Sequence, residues 1–258
     1  MHVLPLPDGG LLHLLRLGAV AALASGVAAL ERKGAAQLML SRPLVLAPVL
    51  GLLLGDVRTG LWLGVPLELL FLGGVNLGGS VPQNETLLCA GLVSAVVPAG
   101  LALHGADEAL FGLALAGLYP LAVVGRWLEF QTEARSGRIA ARVLERTAQG
   151  DVDAVSLQLR GLLFPFFTSA LVVFACALSS PLLAWARQHA PERLASRLAG
   201  GWHAVWALGV GVAIRAVRDP RALRISLVAA AVVLLLGVGY AMAAGSQSFP
   251  VPAVEGAR

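Results

Sequence analysis

Five runs of the chain contain no Asp, Glu, Lys or Arg, and they restrict the fold more than any other feature. They are residues 86–106, 109–125, 161–186, 198–214 and 225–254. Several reach the roughly 20 residues that a helix needs to cross about 30 Å of hydrocarbon. Backbone groups in lipid must be hydrogen-bonded within the protein, and a helix achieves this by itself. The sequence therefore predicts an all-α integral membrane protein, built as a polytopic helical bundle.

The composition agrees with a lipid environment. Hydrophobic residues make up 57% of the chain and charged residues only 13%, and the mean hydropathy of +0.79 exceeds that of ordinary soluble domains. The net charge is +4, but the basic residues lie between apolar runs, where the positive-inside bias places them, so we expect no nucleic-acid partner. Cys89 and Cys176 lie in apolar runs without CxxC spacing, which indicates neither a disulfide framework nor a metal site.

The chain divides by hydropathy into five parts. We predict an N-terminal tail (1–10), an N-terminal membrane region (11–125) with a broken-helix core (34–87), a charged amphipathic segment (126–160), a C-terminal membrane region (161–243) and a flexible tail (244–258). In the charged segment Trp127, Phe130 and Ala134 keep one helical face apolar, which is typical of a surface or interfacial helix. This segment shares its predicted side with the arginines of residues 215–224, so we expect that side to be cytoplasmic.

The core between residues 34 and 87 mixes glycines, prolines, acids and amides with leucines. Its apolar run at 43–55 would cover only about 20 Å as a helix, which predicts a re-entrant segment or half-helix rather than a full crossing. Pro48 in the middle of the run favours the same interpretation. A second apolar piece follows at 60–79, with Glu68 near its centre. The N-terminal third is therefore predicted to contain broken helices.

Three polar residues of this core admit two interpretations each. Glu68 cannot face lipid, so it marks a substrate or ion path or ties one helix to another. Four glycines around Asn76 permit either an unwound helix that binds substrate or tight helix packing. Asn84 could hydrogen-bond a ligand hydroxyl, or it or Glu85 could cap the helix that begins near Leu87.

An ordered series of short motifs resembles a known family. The motifs are LER (30–32), Gln37, SRPLV (41–45), LGD (54–56), TG (59–60), LEL (67–69), LG (72–73) and VPQN (81–84). Together they are similar to the IIC subunit of the mannose/fructose/sorbose family of phosphoenolpyruvate-dependent sugar phosphotransferase systems. The charged segment 126–160 continues the likeness, whereas the last third matches mainly in its hydrophobic layout.

The resemblance implies a multi-pass permease subunit of a bacterial cell (inner) membrane. Such a subunit binds and translocates a hexose or amino-sugar, which the IIB component phosphorylates. The phosphate is carried by histidines of the IIA and IIB partners, so we expect no catalytic residue, cofactor or metal in this chain. The implied partners are a IID membrane subunit, IIB and IIA, the sugar and the lipid bilayer, in an oligomer that moves a core against a scaffold.

A neutral sugar needs directional hydrogen bonds, which carboxylates and amides provide. The predicted substrate-binding residues are therefore Gln37, Glu68, Asn76 and Asn84. Three further charged residues are expected to pin the half-helices as charge pairs or caps, namely Glu31, Arg42 and Asp56. The sugar itself is left open, because mannose, fructose, sorbose, glucosamine and N-acetylgalactosamine systems share such motifs.

Two alternative functions remain open. Glu31, Gln83 and Asn84 stand where the family pattern has Asp, Pro and Asp, which motivates a non-transporting IIC-like anchor or regulatory subunit of an incomplete phosphotransferase system. A proton-coupled secondary transporter is the second alternative, with Glu68 as its proton site.

Overall fold

The computed structural model describes residues 5–7, 9–33, 38–72, 83–147, 154–216 and 224. Within these ranges the regular secondary structure is α-helical, and the prediction of an all-α helical bundle is confirmed. The helices are α1 (Gly10–Arg32), α2 (Pro43–Leu54), α3 (Val57–Phe71), α4 (Glu85–Ala102), α5 (Glu108–Leu118), α6 (Pro120–Thr147), α7 (Ala154–Leu178), α8 (Ser180–His189) and α9 (Glu192–Ala216). The span expected at 225–243 and the tail at 244–258 lie outside the described residues.

The chain forms two compact units. The first comprises Met1–Ala213 and contains α1 to α8 with most of α9. The second comprises Ile214–Arg258, of which the structure describes the last three residues of α9 and Arg224. All geometry that follows belongs to the first unit.

Three helices of the described part are long and apolar enough to cross a membrane. They are Gly10–Arg32, Glu85–Ala102 and the 31-residue stretch Leu159–His189, which joins α7 to α8. A fourth crossing forms if α5 and α6 act together, although they meet at a bend of 41°. Pro120 explains the bend, because its ring removes a backbone donor and clashes with the preceding turn. The charged segment that begins at residue 126 is thus continuous with the apolar start of α6.

Helix α4 is the centre of the bundle. Every residue from Thr86 to Gly100 is buried, so the helix has no exposed face. It contacts α1, α2, α3, α5, α6, α7 and α8. The other elements are therefore arranged around α4.

Helices α2 and α3 form a tight antiparallel hairpin, which we call the short hairpin. Asp56 caps α3, since its Oδ1 accepts a hydrogen bond from the Thr59 N–H at 3.0 Å. Gly55 ends α2 with φ +99°, a left-handed conformation that glycine adopts without strain. At 1.5 Å per residue the 12-residue α2 is about 18 Å long, too short for a full crossing. The prediction of broken helices in the N-terminal third is confirmed.

Glycines let the two short helices touch at the backbone. A Cβ added to Gly51 would lie 2.6 Å from the Asp56 carbonyl oxygen, and one added to Gly64 would lie 2.7 Å from the Pro43 carbonyl oxygen. A Cβ on Gly60 would overlap the Ala47 carbonyl oxygen. Close packing through small residues is a main source of helix association in lipid. The short hairpin therefore behaves as one rigid piece.

We predict that Gly60→Ala destabilises the protein, because its new methyl group meets backbone atoms that cannot rotate away. The expected loss is about 1–3 kcal/mol in the free energy of unfolding. Gly137 in α6 is the matched control, since no atom lies within 4 Å of its added Cβ. Gly137→Ala should be neutral or stabilise by about 0.5–1 kcal/mol. Unfolding midpoints of the purified protein in detergent measure both, and equal midpoints would contradict the tight contact.

Candidate functional site

Arg32, the last residue of α1, joins three helices. Its Nη1 donates to Glu85 Oε1 at 2.6 Å and to Thr86 Oγ1 at 3.1 Å, both on α4. Its Nε donates to Glu129 Oε1 on α6 at 2.7 Å. The guanidinium also lies where the α1 dipole favours a cation, and Glu85 lies where the α4 dipole favours an anion. This end of the bundle is called the Arg32 end below.

Lys33 extends the cluster. Its Nζ lies 3.6 Å from Glu129 Oε2 and 3.9 Å from Glu133 Oε1. Two cations, Arg32 and Lys33, thus face three carboxylates. The pairs that involve Arg32 are the shortest, and Glu129 is buried. Charges with so little access to water must be paired, so Arg32 holds the two carboxylates in place.

The turn before the short hairpin is tied to the same cluster. The Glu31 carboxylate accepts hydrogen bonds from the backbone N–H groups of Met39 at 2.7 Å and Ser41 at 2.9 Å. Met39 has φ +59°, which is unfavourable for a residue with a side chain, and these bonds hold it there. The Thr86 hydroxyl donates to the Ser41 carbonyl oxygen at 2.9 Å. Glu31 and Thr86 thereby attach this turn to α1 and α4.

Glu68 lies on the short hairpin and is held loosely. Its Oε1 is 3.6 Å from Arg42 Nη1, and its Oε2 accepts from the Leu44 N–H at 3.4 Å. The Glu68 side chain is 15% exposed and the Arg42 side chain is 44% exposed. Both distances exceed those of good hydrogen bonds, so the carboxylate keeps capacity to accept further bonds. The partner of Arg42 is therefore Glu68, while Asp56 serves as the α3 cap.

Asn84 caps α4 and packs against α6. Its Oδ1 accepts a hydrogen bond from the Leu87 N–H at 2.9 Å. Its Cβ packs so closely against Gly125 of α6 that a Cβ added to this glycine would lie only 2.6 Å away. Asn84 also lines a cavity of about 30 Å³ together with Arg32 and Glu129. A space of that size holds one or two water molecules, far less than a hexose. The Asn84 side-chain oxygen thus serves as the α4 cap, and only the amide nitrogen of this side chain is available to bind a ligand.

The four residues expected to bind substrate are only partly located. Gln37 and Asn76 lie outside the described residues. Glu68 and Asn84 belong to different elements, linked by a chain of contacts from Glu68 to Arg42, through the adjoining Ser41, to Thr86 and α4. No group of three or more His, Cys, Asp or Glu residues in the described ranges could hold a metal ion.

The sequence analysis missed the ion cluster at the Arg32 end. Arg32, Glu85 and Glu129 are conspicuous only as charged residues near the ends of separate apolar runs, Arg32 within the motif LER and Glu129 near the start of the charged segment 126–160. In lipid such charges need partners, so the available signal was a charge at the end of α1, one at the start of α4 and one inside α6. Which of these charges meet is a property of the fold.

We predict that Arg32→Met destabilises the protein, because it leaves the half-buried Glu85 without its cation and the buried Glu129 with only the longer contact to Lys33. Breaking a buried pair from one side costs about 3–5 kcal/mol. Arg16→Met is the matched control, because Arg16 lies on the same helix with an exposed side chain and should change stability by less than about 0.5 kcal/mol. Adding Glu129→Gln to Arg32→Met should recover part of the loss in detergent unfolding experiments. An equal effect at both arginines would contradict the role of Arg32.

Sequence comparisons identify relatives over most of the chain. The family model of the PTS system sorbose-specific IIC component matches residues 12–248. The chain is 38% identical over 87 residues to the sorbose-specific EIIC component of Klebsiella pneumoniae, covering 34% of this chain and 30% of the relative. It is 31% identical over 159 residues to the sorbose-specific EIIC component of Lacticaseibacillus casei, covering 61% of this chain and 51% of the relative. The chain therefore aligns with about a third and about half of the length of these two relatives.

Solved structures share the fold. One, described as a membrane protein, superposes with a TM-score of 0.65 at 20% identity and covers 89% of this chain and 94% of that chain. The cryo-EM structure of the mannose transporter ManYZ in complex with a microcin superposes with a TM-score of 0.55 at 20% identity, covering 94% of this chain and 98% of that chain. The resemblance found in the sequence is confirmed. The family model matches 237 consecutive residues, 12–248, which is most of the chain. The chain therefore belongs to the sorbose-specific IIC component family of the sugar phosphotransferase system.

Proposed function

We propose that this chain is the membrane permease subunit of a mannose-family sugar phosphotransferase system. It binds a hexose or amino-sugar and translocates it for phosphorylation by the IIB component. The observation that carries the proposal is that the Glu68 carboxylate is held only by long contacts. Among the acids at the Arg32 end, Glu85 and Glu129 are held by short bonds of 2.6 and 2.7 Å, whereas Glu68 has contacts of only 3.4 and 3.6 Å.

A loosely held carboxylate suits a sugar ligand. Its free lone pairs can accept hydroxyl hydrogen bonds, and charge-assisted bonds of this kind are stronger than neutral ones. Arg42, 44% exposed, can donate to a neighbouring hydroxyl from the same side. Gln37 and Asn76 complete the proposed set of substrate-binding residues, and the Asn84 amide nitrogen adds a donor. Glu31 and Asp56 act as supports, through the turn at Met39 and the α3 cap.

Assembly with other components is part of the same proposal and is supported by family membership. We infer that the chain pairs with a IID membrane subunit in an oligomer and receives phosphorylated IIB, itself supplied by IIA, on its cytoplasmic side. Large apolar side chains such as Leu171 and Leu208 are exposed, which suits contact with lipid or a membrane partner. Helix α6 carries Arg126, Arg135, Arg138 and Arg142 towards the Arg32 end. The positive-inside rule makes that end cytoplasmic, in a bacterial inner membrane.

A non-transporting anchor or regulatory subunit is the second candidate. The observation that favours it is Asn84, which stands where the family pattern has an acid and whose oxygen is committed to the α4 cap. The cavity that it lines is too small for a sugar. In that case the fold and the ion cluster would serve assembly alone.

We predict that Glu68→Gln lowers kcat/KM for sugar uptake about tenfold or more, because a charge-assisted bond to the sugar becomes a neutral one. The measurement is labelled-sugar uptake by cells that express this chain with its IID partner and phosphorylated IIB. Glu192→Gln is the control, since Glu192 is an exposed acid at the start of α9.

Three outcomes separate the functions, and a fourth tests the role of Glu68. Uptake that requires IIB and falls with Glu68→Gln supports the permease. Uptake that survives loss of IIB but collapses with an uncoupler would instead indicate a proton-coupled transporter. No uptake of mannose, fructose, sorbose, glucosamine or N-acetylgalactosamine would leave the anchor as the function. Normal uptake by the Glu68→Gln variant would make Glu68 a structural residue.

A further inference from the structure

A polar pocket of about 350 Å³ lies at the end of α4 away from the Arg32 cluster. It forms where the tip of the short hairpin meets the loop between α4 and α5. Because α4 has 18 residues, about 27 Å separates its two ends. The side chains that matter for its chemistry are Asp56, Arg58 and Trp62 from the hairpin, and Asp107, Glu108 and Phe111 from α5 and its cap. We call this the hairpin-tip pocket.

Two of its acids are already engaged. Asp56 caps α3, and Asp107 caps α5 by accepting from the Leu110 N–H at 2.8 Å. Asp107 also accepts from the Arg187 Nε at 3.1 Å. These carboxylates cap the N-termini of α3 and α5, which are the positive ends of the two helix dipoles. Neither of these N-termini is therefore free to bind an anion in the pocket. A phosphorylated ligand is thereby disfavoured.

Two other charged groups of the pocket remain available. Arg58 and Glu108 are exposed, and neither side chain has an ion pair or hydrogen bond among the residues that the structure describes. One is a donor with five N–H groups, and the other is a pure acceptor. A ligand that presents neighbouring hydroxyl groups can use both at once. A simple cation or anion can use only one.

An aromatic wall borders the pocket. Trp62 is 43% exposed and meets Trp206 edge-on, with ring centroids 5.6 Å apart. Phe111 meets Trp202 in the same manner at 5.5 Å. The indole nitrogens of Trp202 and Trp206 are buried without a hydrogen-bond partner among the described residues. Trp202 and Trp206 do not line the pocket themselves but pack against Phe111 and Trp62, which do.

We infer that the hairpin-tip pocket is a docking subsite for a neutral, unphosphorylated hexose, separate from the site at Glu68. The inference rests on the proposed transport function: the hairpin-tip pocket is where the sugar first binds, before it reaches Glu68. The hydroxyls bond to Glu108 and Arg58, while the apolar face of the ring packs on the Trp62 indole. The volume falls within the range of small-molecule sites. Trp62 and Glu68 are six residues apart on α3, about 9 Å along the helix, so one rigid hairpin carries both sites.

This location gives the subsite a defined task. The arginine-rich Arg32 end is the expected cytoplasmic side, so the hairpin-tip pocket faces away from the cytoplasm. It accepts the sugar before phosphorylation and rejects the phosphorylated product, because the described lining offers three carboxylates, Asp56, Asp107 and Glu108, beside the one unpaired cation, Arg58. Substrate therefore enters at this end without competition from product.

Cysteine protection tests the subsite directly in membranes that contain the full chain. Ala106→Cys adds a thiol to the pocket lining, and the native Cys89 and Cys176 are buried, so a water-soluble maleimide reports on the new thiol. Mannose, fructose and sorbose are the probes, with mannose 6-phosphate as the anionic comparison. At a sugar concentration of ten times Kd, labelling should slow about tenfold, and mannose 6-phosphate should not slow it.

Matched variants make the result specific. Gln188→Cys, an exposed position outside the pocket, should be labelled at the same rate with and without sugar. Trp62→Leu should abolish the protection of Ala106→Cys, whereas Trp127→Leu should preserve it, because Trp127 is exposed on α6. In uptake assays Glu108→Gln should raise KM about tenfold with kcat unchanged.

The outcomes separate the subsite from the transport function. Normal uptake without protection by any of the three sugars would overturn the subsite and leave the permease proposal intact. Protection without uptake would support the subsite and overturn transport. Protection by mannose 6-phosphate equal to that by mannose would overturn selection against the phosphorylated product.

Discussion

The arrangement of this bundle depends on Arg32 and the two carboxylates that it holds. Apolar helices gain little from touching each other in lipid, because the lipid tails are as apolar as the side chains. Close packing at small residues and polar links between helices therefore decide which helices meet. Arg32 binds Glu85 and Glu129 and so joins α1, α4 and α6. The neighbouring Glu31 and Thr86 attach the turn that leads into the short hairpin, which makes one ion cluster the common anchor of four elements.

The two proposed sugar sites differ in how their charges are used. At the Arg32 end Glu85 and Glu129 are committed to short pairs, whereas Glu68 and the more exposed Glu133 have only long contacts; of these two, Glu68 is the one shielded from water, so the proposed chemistry concentrates on its carboxylate. At the hairpin tip the engaged acids are helix caps, and the free groups are one acid and one arginine. Burial raises the pKa of the Asp107 carboxyl, but hydrogen bonds from Arg187 and the Leu110 N–H outweigh it, so its pKa lies below the usual value. Asp107 therefore stays ionised and keeps its cap and its pair over the physiological range.

Residue patterns predicted the architecture better than the site. The uncharged runs and the short piece at 43–55 identified the bundle and its broken helices, because helix length against bilayer thickness is a local property. The partners of Arg32 were beyond reach, since Glu85 and Glu129 lie 53 and 97 residues along the chain. For Asn84, too, the sequence left the role undecided, although its partner Leu87 is only three residues away. Its residue type suits a cap and a sugar contact equally, and only the 2.9 Å bond to Leu87 identified the cap.

The glycine contacts of the short hairpin bear on how the chain enters the membrane. Neither α2, with 12 residues, nor α3, with 15, is long enough to be retained in lipid as a separate crossing. Their backbones meet at Gly51, Gly60 and Gly64, so each helix covers polar backbone of the other. During biosynthesis the two helices must therefore leave the insertion machinery together, after residue 71 has been translated. A bulky side chain at any of the three glycines would act first on the yield of inserted protein, before any effect on transport could be measured.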